Sequence, residues 1–198
     1  MKKILFISII LCITSQSFAQ KIYSGFYGVG LSLAFDSTTK KITGYYENAT
    51  GYDENTKSPR FTCTFYIEGI VNGNKADILT FYPEYSNTDT ISGRIEIGDP
   101  KNITIKLRGD HGGCWNVQQF ANEPLEYTLD REFKAIQIRY VISNKAYFYS
   151  EKNNQKKRKA FVLKYDVVAV EKIESNWAYC TFYGNRITKG WIKVSNLN

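Results

Sequence analysis

The chain has 198 residues, of which 43% are hydrophobic, 15% aromatic and 23% charged, and its formal net charge at pH 7 is +7. A chain of this length forms one large or two small domains. Its basic residues are scattered apart from one run at residues 156–159, which argues against the dense basic stripe of a nucleic-acid-binding protein. One histidine and four dispersed cysteines do not supply the closely spaced ligand pairs of a zinc site.

The N-terminus has the pattern of a secretory signal peptide. Two lysines precede an apolar stretch at residues 4–13, and the small residues Ser17 and Ala19 indicate cleavage before Gln20. The apolar stretch is far shorter than the ~20 residues of a membrane-spanning helix. We therefore expect an exported protein, periplasmic or extracellular, that has no stable membrane span.

A lipid anchor at Cys12 is the alternative, although the bulky Leu11 stands before it where a lipobox requires a small residue. Cleavage before Gln20 removes two lysines and lowers the formal net charge to +5. A mildly basic exported protein suits an acidic surface or a cell-wall polymer as its partner.

Strand patterns dominate residues 20–120. In one run Ile91, Ile95 and Ile97 share a face while polar residues occupy the other, which is typical of a half-buried antiparallel strand. Asn72-Gly73 is a hairpin signal between two runs. The runs rich in β-branched and aromatic residues are 42–46, 61–68, 78–82, 91–97 and 103–107. We predict an all-β protein whose N-terminal domain is an antiparallel β-barrel or sandwich.

Three cysteines remain after cleavage, enough for one disulfide and one free thiol. Cys63 lies on the apolar face of its run, and Cys114 belongs to the same N-terminal segment, so we predict a Cys63–Cys114 disulfide. Cys180 is expected to be a buried free thiol.

Residues 121–134 interrupt the strand rhythm and contain several acids, so we interpret them as a linker or a short helix at the boundary between two domains. A long loop within a single domain is the alternative interpretation.

Residues 135–198 contain, in this order, Tyr147-Phe148-Tyr149, the basic run at 156–159, Trp177-Ala178-Tyr179 and the closing Gly190-Trp191-Ile192. These motifs resemble those of the bacterial SH3-like (SH3b) domain, and the resemblance covers about a third of the chain. Where this family usually has a glycine before the acidic residue of a turn, Tyr165 precedes Asp166. The resemblance implies a small SH3-like β-barrel after the first domain.

Membership of this family implies recognition of cell-wall peptides or of a partner protein through exposed aromatic side chains and residues of the first loop. Aromatic rings give large rigid contact areas, and basic side chains beside them attract carboxylates. The candidate ligand-binding residues are Tyr147, Tyr149, Lys157, Arg158, Trp177 and Tyr183. The alternatives are that many of these aromatic residues form the core and that the basic run is a solvated loop.

A catalytic site is not expected. Gly113-Cys114-Trp115 superficially resembles the nucleophile segment of papain-like proteases, but those enzymes use a histidine downstream of the cysteine, and His111 precedes Cys114. A disulfide at Cys114 would also remove the thiol. We therefore expect no catalytic residue, no metal and no cofactor.

The sequence thus predicts an exported, non-enzymatic binding protein of the bacterial cell envelope that recognises peptidoglycan peptides or an envelope protein. The alternative is an exported inhibitor or immunity protein against a cell-wall-degrading enzyme or a toxin, which would present a rigid loop such as residues 109–115.

Overall fold

The computed structural model describes residues 22–85 and 89–198, and this part of the chain is all-β. The predicted signal peptide and Cys12 lie outside the described residues. No helix in the described part is long and apolar enough to cross a membrane.

Eight antiparallel strands form a closed barrel. Each strand pairs with the next along the chain, and the first pairs with the last. Of the two predicted architectures, barrel or sandwich, the structure has the barrel. The strands are β1 (Gly25–Tyr27), β2 (Leu31–Phe35), β3 (Lys41–Asp53), β4 (Ser58–Asn72), β5 (Lys75–Phe81), β6 (Thr90–Asp99), β7 (Asn102–Leu107) and β8 (Leu125–Glu132).

Strand β8 corrects the interpretation of residues 121–134 as a linker. Leu125–Glu132 pairs with β7 on one side and with β1 on the other, and so closes the barrel. Tyr127 is buried inside the barrel, whereas Glu126 and Asp130 are exposed. The acids therefore belong to the solvated face of a strand, and the barrel extends beyond the predicted domain end at residue 120.

Aromatic side chains fill the barrel interior. The ring of Tyr46 stacks on Phe65 at a centroid distance of 5.2 Å, and Phe120 meets both rings edge-on at 4.9 and 5.1 Å. Cys63 and Cys114 are fully buried beside this cluster and form a disulfide, as predicted. The disulfide ties β4 to the short 3-10 helix Cys114–Asn116.

The remaining strands form a second, six-stranded sheet in the order β11-β10-β14-β13-β12-β9. Its two end strands do not pair with each other within the described residues, so the sheet is open between them. The SH3-like β-barrel expected for residues 135–198 stays a prediction. The buried thiol of Cys180 lies in its core and is free, as predicted. The strands are β9 (Gln137–Tyr140), β10 (Lys145–Tyr149), β11 (Lys157–Leu163), β12 (Val167–Glu174), β13 (Trp177–Tyr183) and β14 (Ile187–Lys193).

The sheet packs against the barrel through Tyr165, in the turn between β11 and β12. Its backbone has a φ of 72°, the left-handed conformation that favours glycine. Three hydrogen bonds hold it there: its N–H donates to Val141, its carbonyl accepts from the Tyr66 hydroxyl at 2.6 Å, and its own hydroxyl donates to Glu84 at 3.1 Å. Tyr66 and Glu84 belong to the barrel half, so these contacts to the barrel offset the backbone strain.

Candidate functional site

Alternate side chains of the second sheet point away from its core and form a separate face. One cross-strand row on this face runs Lys157–Tyr149–Trp191–Tyr179–Lys172, because each residue is paired with the next on neighbouring strands. We call the whole surface the aromatic–lysine face. Its members are Lys145, Tyr147, Tyr149, Lys152, Lys157, Phe161, Lys172, Trp177, Tyr179, Trp191 and Lys193.

Trp177 is the most open tryptophan of this face. The Tyr149 ring meets it edge-on at 4.8 Å, and the Lys193 ammonium lies 5.8 Å from its ring centroid. Beside it is a groove of about 450 Å³, which we call the Trp177 groove. Asn154 and Ser195 also line this groove, so amide and hydroxyl groups surround the ring. An aromatic surface with polar groups at its edge is typical of a ligand-binding site.

Trp191 is only 8% exposed although it lies on the same face. The ammonium groups of Lys152 and Lys172 lie 5.4 and 5.2 Å from its ring centroid, and both lysines form ion pairs with Glu174. Hydrogen bonds from Lys152 and Lys172 lower the pKa of the Glu174 carboxyl to about 2. This charged cover and the neighbouring rings bury Trp191, which therefore stabilises the sheet and is not available to a ligand.

A second aromatic pair lies at the edge of the sheet. The Tyr147 and Phe161 rings meet edge-on at 5.9 Å. The Lys157 ammonium is 4.3 Å from the Tyr147 centroid, and the Lys145 ammonium is 4.0 Å from the Phe161 centroid. Such cation–π contacts contribute about 0.5–1 kcal/mol at exposed sites. These contacts hold the ammonium groups of Lys145 and Lys157 beside the two rings, where both could pair with a bound anion.

The structure brings four of the six predicted ligand-binding residues together: Tyr147, Tyr149, Lys157 and Trp177. Tyr149 is as buried as Trp191, at 8% exposure, so it supports the Trp177 ring and does not present a surface of its own. Arg158 lies elsewhere, because side chains alternate along a strand and its neighbour Lys157 occupies the aromatic–lysine face. Its guanidinium donates to the Lys189 carbonyl at 2.5 Å and lies 3.3 Å from where a Cβ would stand on Gly190.

Tyr183 is also separate from the aromatic–lysine face. Its ring packs between the two halves of the molecule, 5.0 Å from Phe26 and 5.5 Å from Phe133. Tyr183 therefore does not lie beside the other predicted ligand-binding residues and takes part in a contact between sheet and barrel.

Sequence reasoning missed Tyr179 and several lysines of the face, and it described the charge as scattered. Residues 135–198 contain twelve Lys or Arg against four Asp or Glu, a net charge of +8. Residues 20–134 contain twelve Lys or Arg against fifteen Asp or Glu, a net charge of −3. Counting charge by segment would have revealed this strong polarity, which creates a positive potential around the second sheet.

His111 and Cys114 are not arranged as a catalytic pair. The Cys114 sulfur is bonded to Cys63, and His111 is only 3% exposed and stacks on Phe65 at 5.2 Å. The Thr80 hydroxyl donates to the Ile91 carbonyl, so the contact of 2.8 Å between Thr80 and His111 has Nε2 as the donor. Nδ1 is buried and has no hydrogen-bond partner among the described residues.

The buried position of His111 predicts that the stability of the folded protein depends on pH. Burial lowers the pKa of the His111 imidazole from its ordinary value, although nearby Asp89 and Asp110 partly oppose the shift. The unfolded chain then binds a proton more readily, so stability should fall as the pH drops below ~6.5. Thermal melting between pH 7.5 and 5.5 should show this fall in the native protein. The variant His111→Gln keeps a donor for Thr80 and should show little change over the same range; an equal fall in both proteins would contradict the assignment.

The comparisons with known proteins identify no relative. No protein-family model matches this chain, and neither the curated proteins nor the solved structures include a match. Within residues 22–85 and 89–198, no three His, Cys, Asp or Glu side chains are grouped as a metal site requires.

Proposed function

We propose that this protein is an exported, non-catalytic binding protein of the bacterial cell envelope, and that its second sheet is an SH3-like domain that recognises carboxylate-bearing peptides of peptidoglycan. The observation that carries this proposal is the aromatic–lysine face. It combines a partly exposed Trp177, a groove of about 450 Å³ and five lysines on one side of a segment with a net charge of +8.

The chemistry of the face suits a peptide with free carboxylates. The Trp177 ring offers an apolar platform, and Lys193 places an ammonium beside it. Asn154, Asn176 and Ser195 supply hydrogen-bonding groups for peptide amides along the Trp177 groove. The surrounding positive potential would draw an anionic polymer to the surface, and this part of the affinity would weaken with salt.

The SH3-like assignment rests on the sequence resemblance and is supported by the placement of its two tryptophan motifs. The Trp177 strand β13 and the Gly190-Trp191-Ile192 strand β14 are adjacent and paired over their full length. On one side of this pair the sheet continues through β12 to β9, and β9 packs against the barrel.

Sedimentation of the purified mature protein with insoluble peptidoglycan tests the proposal. We expect saturable pelleting that weakens between low and moderate salt. Trp177→Ala should reduce the affinity by about tenfold or more, because a central aromatic contact contributes roughly 2 kcal/mol. The matched control is Trp115→Ala, which removes a tryptophan that is 68% exposed in the barrel half.

Equal pelleting of both variants and the native protein, or no pelleting at all, would contradict the proposal. Removing the second sheet is not a suitable control, because β9 and Tyr165 of this half pack against the barrel. A truncation that also removed part of β8 would open the barrel, which β8 closes by pairing with β1. Point variants leave these contacts intact.

A specific surface favours the inhibitor function as a second candidate. Trp115 projects from the 3-10 helix that the disulfide holds against β4. The end of the β3–β4 hairpin, residues 49–53 and 58–62, forms a two-stranded ribbon that neither β2 nor β5 pairs with, and Tyr52 and Phe61 are exposed on this ribbon. Co-purification of a protein that is lost in Trp115→Ala and retained in Trp177→Ala would support this candidate.

A further inference from the structure

A groove of about 480 Å³ lies where the barrel meets the second sheet. The outer sides of β1, β2 and β3 form one wall; β12, β13 and the turn between β11 and β12 form the other. We call it the junction groove. Its aromatic lining residues are Phe26, Tyr45, Phe133, Tyr165, Phe182 and Tyr183.

Two carboxylates also line the junction groove, one from each wall. Glu47 of β3 accepts a hydrogen bond from the Tyr45 hydroxyl at 2.9 Å, and Asp166 accepts one from the Leu163 N–H at 2.7 Å. None of the ion pairs between described residues includes Glu47 or Asp166. Each carboxylate therefore has an oxygen left for a ligand.

The two carboxylates act on the same region of the groove. Burial raises the pKa of the Tyr45 and Tyr66 hydroxyls, and the charges of Glu47 and Asp166 raise both values further. The placement of the two carboxylates agrees with this, because Glu47 and Asp166 line the same groove from its opposite walls. Two negative charges that face one groove attract a cation to it.

The aromatic wall already holds one cation. The Arg131 guanidinium lies 4.8 Å from the Phe26 centroid and 5.8 Å from the Tyr183 centroid. Aromatic faces attract ammonium groups in the same way. An aliphatic stem would also replace water along the apolar wall formed by Val167 and Ala169.

We propose that the junction groove binds an alkylammonium group, such as a lysine side chain presented by a peptide. The aromatic walls receive the stem, and Glu47 and Asp166 pair with the ammonium. This site is distinct from the aromatic–lysine face and has the opposite charge preference, so the proposal stands whether or not that face binds peptidoglycan.

The probe is Nα-acetyl-lysine methylamide, compared with the uncharged Nα-acetyl-norleucine methylamide, titrated into the isotopically labelled mature protein. We expect saturable amide shifts at Ser32, Ala169 and their neighbours with the lysine probe, and none with the norleucine probe. Glu47→Gln and Asp166→Asn keep the hydrogen bonds to Tyr45 and Leu163 but remove one charge each. Each should weaken binding by about fivefold, the scale of one partly exposed ion pair.

The matched control is Glu126→Gln, which removes an exposed charge from β8 outside the groove. It should bind the lysine probe as the native protein does. Equal binding of the two probes, shifts confined to other surfaces, absence of saturation, or an equal loss in the control variant would overturn the proposal. Thermal melting of each variant shows whether it is folded, and the double variant with both groove charges removed provides a second test in the same titration.

Discussion

Replacing Cys63 and Cys114 together with alanine is expected to lower the free energy of unfolding of the barrel by about 4 kcal/mol. The disulfide joins residues 51 positions apart, and its loss frees a loop of that length in the unfolded chain. Both cysteines are fully buried against Phe65 and its neighbours, so alanine at these positions also removes two buried sulfur atoms, and the small cavity that remains adds to the cost of losing the crosslink.

Urea unfolding followed by far-ultraviolet circular dichroism measures this effect. A reducing agent added to the native protein should lower the urea midpoint to a similar extent, while Cys180→Ala should change it much less, because Cys180 forms no disulfide. A double variant whose free energy of unfolding lies within about 1 kcal/mol of the native value would show that the disulfide does not stabilise the barrel.

The disulfide also holds the exposed Trp115 in place, since Cys114 begins the 3-10 helix on which Trp115 stands. Loss of the crosslink would release this helix from β4 but leave the second sheet unaffected. The peptidoglycan binding that we assign to the aromatic–lysine face should therefore survive reduction, whereas binding of a protein partner through Trp115 should not.

The barrel could be predicted from the sequence where one face of each strand is buried and the other is solvated. Ile95, Ile97, Ile103 and Ile105 follow this alternation, and all are buried in the core. The eighth strand was missed because its outward positions carry acids, so its composition resembles a linker even though Tyr127 faces inward. An acid-rich strand is recognisable only when the partner strands on either side are known.

The candidate site could be predicted in part, because alternation also decides which aromatic residues share a face. Tyr147, Tyr149 and Trp177 follow this rule, and Arg158 could have been excluded by it, since Lys157 is its neighbour in the same strand. Tyr183 could not have been excluded in this way. Its strand position places it on the outer face, and only the docking of the barrel against that end of the sheet covers it.

The docking of the two halves was also not predictable from local patterns. Tyr165 occupies a left-handed backbone position where the resembled family has glycine, which on sequence grounds argues against a tight turn. The structure supplies the reason, because the side chain and carbonyl of Tyr165 bond to Glu84 and Tyr66 of the barrel half. A residue that is locally unfavourable is thus retained by a contact far away in the sequence.

Replacing each of the two tryptophans of the second sheet with alanine should destabilise the protein to very different extents. Trp191→Ala is expected to lower the free energy of unfolding by about 3–4 kcal/mol, because it removes a buried ring and leaves a cavity. That ring contacts Tyr179 at 5.2 Å and two lysines above it. Trp177→Ala should cost only about 1 kcal/mol, the scale of its single aromatic contact with Tyr149, because its ring is already partly exposed.

Urea unfolding and peptidoglycan pelleting of both variants, measured side by side, separate stability from recognition. A folded Trp177→Ala protein that no longer pellets would assign Trp177 to the ligand, since its loss removes contact area without removing core. If both substitutions destabilise the protein to a similar extent, Trp177 is a core residue. The aromatic–lysine face would then lack its proposed central ligand contact, and the proposal would be contradicted. Because Lys193 lies over Trp177 and not over Trp191, Lys193→Gln should reproduce the binding loss of Trp177→Ala more weakly and leave stability unchanged.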